Sequence, residues 1–539
     1  MDKVSKLKST VIYHRIEADV SVFVKENLSK WRVYPSGEKT IHDSVWGSVE
    51  YSEWEAQLID SPLLQRLREI HQVGLALLTY PAARHSRFEH SLGVASAIKK
   101  MCDRINANRE QPPIGPATRN CLILAALLHD VGHCFYSHLS ESVYGELPDF
   151  LELRQSFRQI MGKNPQPHEI LSFIIVNSAA FQHFFFEKVN YPGKETVRDT
   201  LFADVGCMIT GVNIVRNGRI RSFQTAMLNG FFDADKLDYI RRDAMTAGLA
   251  LQYDIERLFT KLRIHPIADP ESGLVEDRLL LNANSSTAIE ELTFCKIMLF
   301  SHVYRHQKVL VTEAIIKDCA EGLQRLKVLP NISDFLKYTD EDFRNLTDLQ
   351  KDRNPFPEYV DSLNLKELVE RVRLRNLPKR CLEVTRRDLE KITQKAPLGN
   401  RNKNDASSAG VSPGCGDGSG KSLVDSIPSM TYSRLLELRK ELFLLISEDY
   451  KEKERPVNFS LFDIYILFPP ETNYGSAKEA VILAKDEKTV MTIEECIHLD
   501  DWALHLNASK WRGYVYVTER IDRNIAHAAA ARLLLGTES

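Results

Sequence analysis

The chain has 539 residues, enough for more than one domain, and 43% of them are hydrophobic, which is ample for a sizeable core. Its formal net charge of −3 gives no overall basic field, so nucleic-acid binding would need a local patch. Nine cysteines without a Cys-x-x-Cys pair favour reduced thiols and a cytoplasmic, intracellular location. No apolar run reaches the ~20 residues that a membrane helix needs and there is no signal-peptide core, so we expect a soluble protein with no membrane segment.

The first part of the chain is mixed and polar, with one short helix predicted near Ile16 to Leu28. The next predicted helix opens on the capping signal Asp60-Ser61-Pro62, and its regularly spaced leucines form a buried stripe. The other faces of this helix carry Gln65, Arg68 and Gln72. Taken alone, such side chains are most often a solvated surface.

A histidine opens the helical pattern that follows. In the segment RHSRFEHSLGV, His90 begins a run of apolar residues at helical spacing, and Arg84 and Arg87 precede it. A lone buried histidine is more often a satisfied core residue than a metal ligand. Whether His90 is a metal ligand therefore depends on whether the rest of the chain supplies further ligands.

The strongest signal is the stretch from Cys121 to Glu141, CLILAALLHDVGHCFYSHLSE. An unbroken run of apolar or small residues leads into His129 and Asp130, which predicts a buried helix with a polar site at its end. An imidazole beside a carboxylate is costly in a core unless something binds it, so the pair favours a divalent metal ion, which accepts both groups. His133 and His138 follow within nine positions, so the histidines form a cluster.

A third polar group lies beyond a predicted hairpin, NIVRNGRIRSF, whose turn is Asn-Gly. The segment FFDADKLDYIRRDAM places Asp235, Tyr239 and Asp243 at steps of four, on one face of a helix. Asp238 and Arg242 form a second pair at the same spacing, which a surface salt bridge would also explain. The chain thus offers a histidine, a His-Asp pair and an aspartate on three separate helices.

These three parts, RFEHSLGV, LLHDVGH followed by SH, and DADKLDYIRRD, resemble the signature of the HD phosphohydrolases and their dNTP triphosphohydrolase branch, which includes the vertebrate SAM-and-HD-domain enzymes. The resemblance covers roughly residues 39 to 320, and no SAM domain is recognisable before it. It implies a mainly α fold with an HD-domain helical core. It also implies a bound divalent ion, Mg, Mn, Fe or Zn, with four ligands: His90, His129, Asp130 and Asp235.

The resemblance implies further roles, with dNTP as the substrate and GTP or dGTP as an activator. Catalytic side chains would be His133, His138, His168 and Glu141. Contacts with the phosphates and deoxyribose of the substrate would come from Gln72, Arg87, Lys236, Tyr239, Asp243 and Lys296, with Tyr239 packed under C2′ to exclude ribonucleotides. The activating nucleotide would contact Lys39, Asp60, Gln65 and Arg68. Near the cluster, Cys134-Phe135 stands where the vertebrate enzymes have Gly-Pro.

Two stretches around this site carry local predictions. The segment from Gly145 to Pro167 is interpreted as a mobile cover. Apolar residues at helical spacing from Leu292 to Val311 predict one continuous helix. Along it, His302 and His306 are spaced as a zinc pair would be, but nothing nearby supplies further ligands, so we interpret them as surface or allosteric residues.

The C-terminal third begins with a stretch rich in Gly, Ser, Asn and Asp that predicts a disordered linker. Within it GCGDGSGKS imitates a P-loop, but Cys415 stands at its first glycine position, so no nucleotide site is assigned. The strand-like runs and helices that follow predict a smaller α+β lobe. We therefore divide the chain into an N-terminal segment, an HD phosphohydrolase domain, the linker and the lobe: residues 1–38, 39–397, 398–426 and 427–539.

The resemblance implies a metal-dependent enzyme that hydrolyses dNTPs to deoxynucleoside and inorganic triphosphate. A homo-oligomer, dimer or tetramer, and activation by GTP or dGTP are further hypotheses from the resemblance. Two alternatives stay open. One is an HD-type phosphodiesterase or nuclease that acts on oligonucleotides or cyclic nucleotides, and the other is a non-enzymatic nucleotide sensor.

Overall fold

The computed structural model describes residues 3–33, 37–107, 114–268, 273–350, 352–388, 430–469, 481–486 and 489–536. The chain divides into two compact units. The first comprises Met1–Phe356, Ser362–Leu374 and Asn473–Leu504, and the second comprises Pro357–Asp361, Arg375–Thr472 and His505–Ser539. The predicted linker, residues 398–426, and its P-loop-like motif lie outside the described residues.

The first unit is mainly helical, as predicted. Its helices begin with α1 Lys3–Lys8, α2 Val11–Leu28, α3 Glu53–Ile59, α4 Pro62–Gln65, α5 Arg87–Ala107, α6 Pro116–Leu128, α7 His138–Tyr144, α8 Pro148–Met161, α9 Pro167–Asn177 and α10 Ala179–Lys188. They continue with α11 Lys194–Val197, α12 Leu201–Ile209, α13 Ser222–Leu228, α14 Ala234–Thr246, α15 Ile255–Thr260, α16 Ser286–Leu299, α17 Gln307–Arg325, α18 Ile332–Lys337, α19 Asp342–Leu346 and α20 Leu365–Arg373.

Helix α6 lies in the core of the first unit. Every residue from Leu122 to Leu128 is buried, and α6 packs against α5 and α12. Helix α5 packs in turn against α14. This arrangement brings the end of α6 and the beginnings of α5 and α14 to one place, and these are the three helices that carry the predicted metal ligands.

The described residues form eleven strands: β1 Lys39–Asp43, β2 Gly47–Tyr51, β3 Val215–Arg216, β4 Arg219–Ile220, β5 Leu262–Ala268, β6 Val275–Asn282, β7 Lys379–Thr385, β8 Ile464–Leu467, β9 Val481–Leu483, β10 Val490–Thr492 and β11 Arg512–Val517. In the first unit β1 pairs with β2, and a six-stranded sheet has the order β10, β9, β6, β4, β3, with β5 paired to β6. Strands β3 and β4 form the predicted hairpin, with positive φ at Asn217 and Gly218.

The second unit is the α+β lobe that the sequence predicts. Its sheet is antiparallel, with the order β7, β11, β8. Helices α21 Tyr432–Glu452 and α23 Arg523–Leu535 pack against each other, and α22 Leu499–Lys510 precedes β11. Strand β9, which the sequence analysis assigns to the lobe, pairs with β6 of the first unit instead.

Two predictions of local structure are wrong. The stretch from Gly145 to Pro167 is not a mobile cover, because most of it forms α8, which buries Phe150, Leu153 and Phe157. The continuous helix predicted across Leu299 is broken: a π-helical turn covers Phe300–Tyr304, and α17 begins only after His306, whose extended backbone caps it.

Within the described residues, no single helix is long and apolar enough to cross a membrane. Helices α9 and α10, which are bent relative to each other, reach the length and apolar composition of a membrane span only when they are counted as one segment.

Candidate metal centre and its surroundings

The four predicted metal ligands converge. His90 lies in the first turn of α5, and its Nε2 is 3.4 Å from Nε2 of His129, at the end of α6. The same nitrogen of His90 is 2.9 Å from Oδ1 of Asp235, in the first turn of α14. Asp130 completes the group, with Oδ1 at 3.2 Å from His129 Nε2. Three helices thus bring two imidazoles and two carboxylates to one point.

The imidazoles are oriented by their other nitrogens. Nδ1 of His90 lies 2.7 Å from Oδ2 of Asp238, and Nδ1 of His129 lies 2.7 Å from the carbonyl oxygen of Ala126. Such contacts fix the tautomer and leave Nε2 of each ring for a metal ion. Two imidazoles and two carboxylates are donors that suit Mg, Mn, Fe or Zn, so these residues fit a divalent ion.

The charges around His90 also favour a cation. Burial lowers the pKa of His90, but hydrogen bonds to Asp235 and Asp238 outweigh burial and raise it to about 10. Burial raises the pKa of Asp235, but His90 and its neighbours bring it down to about 2. The carboxylates therefore stabilise a positive charge at Nε2 of His90. A proton on this nitrogen competes with a metal ion for the same position.

Asp238 and Arg242 do not form a surface salt bridge, because both side chains are buried. Arg242 donates from Nε to Oδ2 of Asp238 at 2.8 Å and from Nη2 to Oδ2 of Asp43 at 2.8 Å. The indole of Trp46 donates to Oδ1 of Asp238 at 2.6 Å. Asp238 is thereby held in the position from which it orients His90.

Gly93 of α5 leaves room for this network. A Cβ at this position would lie 2.0 Å from Oδ1 of Asp238. We expect Gly93→Ala to lower the free energy of unfolding by about 1–3 kcal/mol through overpacking, although alanine is the better helix former. Because Asp238 must move, the affinity for metal should fall about 10- to 100-fold as well.

Urea unfolding and metal titration would measure both effects of Gly93→Ala. Gly37→Ala is the matched control, because a Cβ at Gly37 meets open space. Wild-type stability together with wild-type metal affinity in Gly93→Ala would contradict this account of the packing.

A second cluster lies next to the first. Nδ1 of His133, of His138 and of His168 lies 3.0, 3.1 and 3.0 Å from Oε1 of Glu141, respectively. The rings of His133 and His168 stack with their centroids 3.9 Å apart. His133 and Glu141 are buried, whereas the side chain of His138 is 68% exposed. His138 is therefore the member of the cluster that a substrate can reach.

The members of this cluster differ in charge. Burial, Arg87 and His168 lower the pKa of His133 to about 3, so its ring is neutral at pH 7. Burial lowers the pKa of His168 as well, but Glu141 outweighs this and raises it to about 9. Burial raises the pKa of Glu141, but His168 and His138 hold it well below its usual range. The cluster thus combines an ionised carboxylate with neutral and protonated imidazoles.

Arg87 links the two clusters. It donates from Nη1 to Oδ2 of Asp130 at 2.9 Å, from Nε to Oγ of Ser137 at 3.0 Å, and from Nη2 to the carbonyl oxygen of Gln72 at 3.3 Å. Within the described residues, Oε1 of Gln72 is buried without a hydrogen-bond partner. A buried acceptor of this kind is costly unless a ligand or water satisfies it.

Two lysines of the predicted phosphate site lie close to each other. Lys236 donates from Nζ to Oδ2 of Asp233 at 2.5 Å and to the carbonyl oxygen of Gly230 at 2.8 Å. Burial and the charge of Lys236 lower the pKa of Lys296 to about 8. An anion bound between the two ammonium groups would relieve their repulsion.

Asp243 already has partners in this structure. Its Oδ1 lies 2.6 Å from Nε2 of His85, and its other oxygen accepts the hydroxyl of Tyr304. A sugar hydroxyl at Asp243 would have to share or displace these contacts. Tyr239 lies one turn earlier on α14 and is partly buried. The sequence analysis missed His85 and Tyr304, although both lie in polar segments, because nothing local shows that they reach Asp243.

The four residues predicted to bind an activating nucleotide lie on one surface. Lys39 pairs with the carboxylate of Asp60, and Nε of Arg68 donates to Oε1 of Gln65 at 2.8 Å. Gln65 donates in turn to the carbonyl oxygen next to Asp60 at 2.8 Å. The guanidinium of Arg68 lies 3.7 Å from the centroid of the Phe88 ring. The polar side chains of these four residues thus pair with one another or with the backbone, and solvent can reach them.

Asp340 is a further residue that the sequence analysis missed. Its carboxylate accepts from the backbone N–H of Tyr136 at 2.5 Å and lies 2.7 Å from Nδ1 of His71. Tyr136 and Ser137 both have positive φ, 50° and 51°, which is costly for residues with a Cβ. Asp340 thus holds the strained turn that leads into His138. No local signal marks it, since it lies some 200 residues along the chain from this turn.

Residues 87–198 match the family described as HD domain. The chain is 26% identical over 342 residues to the deoxynucleoside triphosphate triphosphohydrolase SAMHD1 homolog of Dictyostelium discoideum, with 63% of this chain and 59% of that protein covered. It is 24% identical over 388 residues to SAMHD1 of Homo sapiens, with 66% and 58% covered. An uncharacterised protein of Methanocaldococcus jannaschii is 29% identical over 303 residues, with 55% and 53% covered. The chain spans somewhat over half the length of these curated relatives.

Solved structures share the fold. A phosphohydrolase from Bacteroides thetaiotaomicron superposes with a TM-score of 0.57 at 17% identity, covering 89% of this chain and all of that one. A hypothetical protein from Aquifex aeolicus superposes with a TM-score of 0.55 at 20% identity, covering 91% and 99%. At these identities the likeness extends to the fold alone.

Proposed function

The chain belongs to the HD-domain family that includes the dNTP triphosphohydrolases, and from this premise we propose that it hydrolyses dNTPs to deoxynucleoside and inorganic triphosphate. The observation that carries the proposal is the placement of two clusters side by side. One offers two imidazoles and two carboxylates to a cation, and the other offers histidines in different protonation states. Together they provide the groups that phosphoryl chemistry at neutral pH requires.

His90, His129, Asp130 and Asp235 would hold the divalent ion, which when bound polarises a phosphoryl oxygen and supplies a nucleophilic water. The side chains around it position these ligands. Asp238 orients His90, and Arg87 donates to Asp130 from a place beside the site. The guanidinium of Arg87 is planar and offers several donors, so it suits an oxygen of the α-phosphate.

His138 would transfer a proton as the bond between the α-phosphorus and O5′ breaks, either from the attacking water or to the departing O5′ of the deoxynucleoside. It is the exposed member of the second cluster, and Glu141 lies 3.1 Å from its Nδ1. A carboxylate in that position fixes the tautomer and leaves Nε2 for the substrate. His168 and His138 itself keep Glu141 ionised.

Charge and shape complete the proposed substrate site. Lys236 and Lys296 would bind the negatively charged triphosphate while water attacks its α-phosphorus and O5′ of the deoxynucleoside leaves. Tyr239 would pack under the deoxyribose, where an added 2′-hydroxyl would clash or stay unsatisfied. Gln72 contributes the buried acceptor that lacks a partner.

We extend the proposal to a guanine nucleotide as activator. A carboxylate such as Asp60 can accept from N1–H and the amino group of guanine, while Arg68 can donate to O6 and N7. Lys39 lies beside Asp60, where it can contact a phosphate. Assembly as a homo-oligomer, dimer or tetramer, belongs to the same proposal.

Incubation of the purified protein with Mn²⁺ or Mg²⁺ and each dNTP, with and without GTP or dGTP, tests the reaction. We expect deoxynucleoside and intact inorganic triphosphate, and faster turnover when the guanine nucleotide is present. Monophosphate with pyrophosphate would contradict the proposed bond cleavage, and full activity on one dNTP alone would contradict activation.

The same assay separates the two alternatives. Cleavage of oligonucleotides under conditions where dNTPs survive would favour a nuclease or phosphodiesterase. Nucleotide binding without turnover of dNTPs, oligonucleotides or cyclic nucleotides would favour a sensor.

A further inference from the structure

The second cluster offers a set of metal-binding atoms that is separate from the His90 site. One atom from each of His133, His138, His168 and Glu141 lies within 4.8 Å of all the others. The three Nδ1 atoms are 3.0 to 3.1 Å from Oε1 of Glu141. In a tetrahedral zinc site with bonds of ~2.0–2.1 Å, neighbouring ligand atoms are ~3.4 Å apart. Small shifts of these side chains would therefore suffice to enclose an ion.

His133 provides an independent observation. Its side chain is 0% exposed, and neither ring nitrogen has a hydrogen-bond partner within the described residues. Oxygens of Glu141 and Asp130 lie only 3.0 and 3.4 Å from these nitrogens, but not in directions that suit a hydrogen bond. A buried imidazole in this state is costly unless something binds it.

An ion bound to Nδ1 of His133 would remove this free-energy cost. The proton would then reside on Nε2, which faces Oδ1 of Asp130 at 3.4 Å. A small rotation of the ring would turn this contact into the histidine–carboxylate hydrogen bond that metal-bound histidines usually make.

We propose that His133, His138, His168 and Glu141 bind a second divalent ion, best matched by Zn²⁺, and that this ion inhibits the enzyme. Three imidazoles and one carboxylate are a donor set typical of zinc, whereas Mg²⁺ prefers oxygen ligands and retains its waters. Inhibition follows because an ion bound to Nδ1 of His138 would leave the ring proton on Nε2, so that this nitrogen could not accept another proton and the ring could not donate one as an imidazolium. This inhibitory role rests on the proposed function, but the binding of the ion does not.

Metal content tests the binding without any assay of turnover. Protein stripped with a chelator is equilibrated with Zn²⁺, desalted and analysed for zinc. We expect about two ions per chain in the wild type and about one in Asp235→Ala, which disrupts only the His90 site. Adding His138→Ala to Asp235→Ala should remove the remaining ion.

The variants are chosen so that misfolding is not mistaken for loss of a site. His138 is 68% exposed, so its replacement leaves the core intact. His183→Ala, a change in an exposed histidine on α10, is the control and should keep about two ions. A zinc content of one ion per chain in the wild type would overturn the proposal of a second site. The same zinc content in Asp235→Ala with and without His138→Ala would overturn it as well.

Cobalt provides a spectroscopic readout. In Asp235→Ala, Co²⁺ at the second cluster should give the intense visible absorption of tetrahedral coordination, and His138→Ala should abolish it. Weak octahedral bands would contradict the proposed ligand set.

Inhibition is tested separately, on enzyme loaded with Mn²⁺. Added Zn²⁺ should lower turnover, and excess Mn²⁺ should not restore it, because the two ions occupy different sites. Full restoration of turnover by excess Mn²⁺ would place the inhibitory zinc at the His90 site. That result would overturn the proposal that an ion at the second cluster inhibits the enzyme. If the wild type shows no turnover in any condition, the proposed function fails while the zinc count still decides the binding.

Discussion

Replacing Asp235 with alanine is expected to reduce turnover by about 1,000-fold or more and to weaken the binding of Mn²⁺ at the His90 site. Asp235 lies 2.9 Å from Nε2 of His90 and supplies one of two carboxylates near that nitrogen. Its loss removes a ligand and part of the negative charge that attracts a cation. Stabilisation by a metal ion amounts to several kcal/mol, and each ~1.4 kcal/mol corresponds to a factor of ten in rate.

Steady-state kinetics and Mn²⁺ titration would measure the effect of Asp235→Ala. Glu256→Ala is the matched control, because this carboxylate is 57% exposed and its ion pair with Arg104 lies at the surface. Retained activity in Asp235→Ala would overturn the assignment of the metal centre. Loss of activity with unchanged Mn²⁺ affinity would show that Asp235 acts on the substrate instead.

Replacing His138 with alanine is expected to leave nucleotide binding and metal binding at the His90 site intact and to lower kcat by about 100- to 10,000-fold. Proton transfer by a positioned histidine contributes a factor of that size. The side chain is exposed and contributes little to the core, so stability should stay close to that of the wild type. The effect should fall on kcat rather than KM, since no ligand of the His90 site is removed.

The control for His138→Ala is His14→Ala. His14 is 66% exposed, close to the 68% of His138, and lies on α2. Partial recovery of the His138→Ala rate by added imidazole would support proton transfer. A kcat equal to that of the wild type would assign proton transfer to another group of the cluster.

The candidate metal ligands could be predicted because their signal is local. His129 and Asp130 follow directly on an apolar helix, and a polar pair at such a position needs a partner. The fold class could be predicted for the same reason, since amphipathic spacing is a property of short segments. Helix α8 has this spacing at Phe150, Leu153 and Phe157, but polar residues around it led to the interpretation as a mobile cover.

The break between α16 and α17 shows a limit of periodicity. Apolar residues keep helical spacing from Leu292 to Val311, across the π-helical turn at Phe300–Tyr304, so the sequence pattern does not mark the break. The N-cap at His306, with its side chain accepting from the backbone N–H of Lys308, decides where the next helix begins.

The sequence alone determined the helical character of the chain, the α+β lobe and the residues that are candidates for the metal centre. Tertiary structure decided how these residues are supported. An aspartate and an arginine four residues apart have the same spacing on a surface and in a core. Only the contacts with Gly93, Trp46 and Arg242, which Asp43 holds in turn, make Asp238 the residue that orients His90. Asp340 reaches the turn before His138 from a distant part of the chain. Such contacts depend on how helices pack, because residues far apart in sequence share no periodicity that could reveal them.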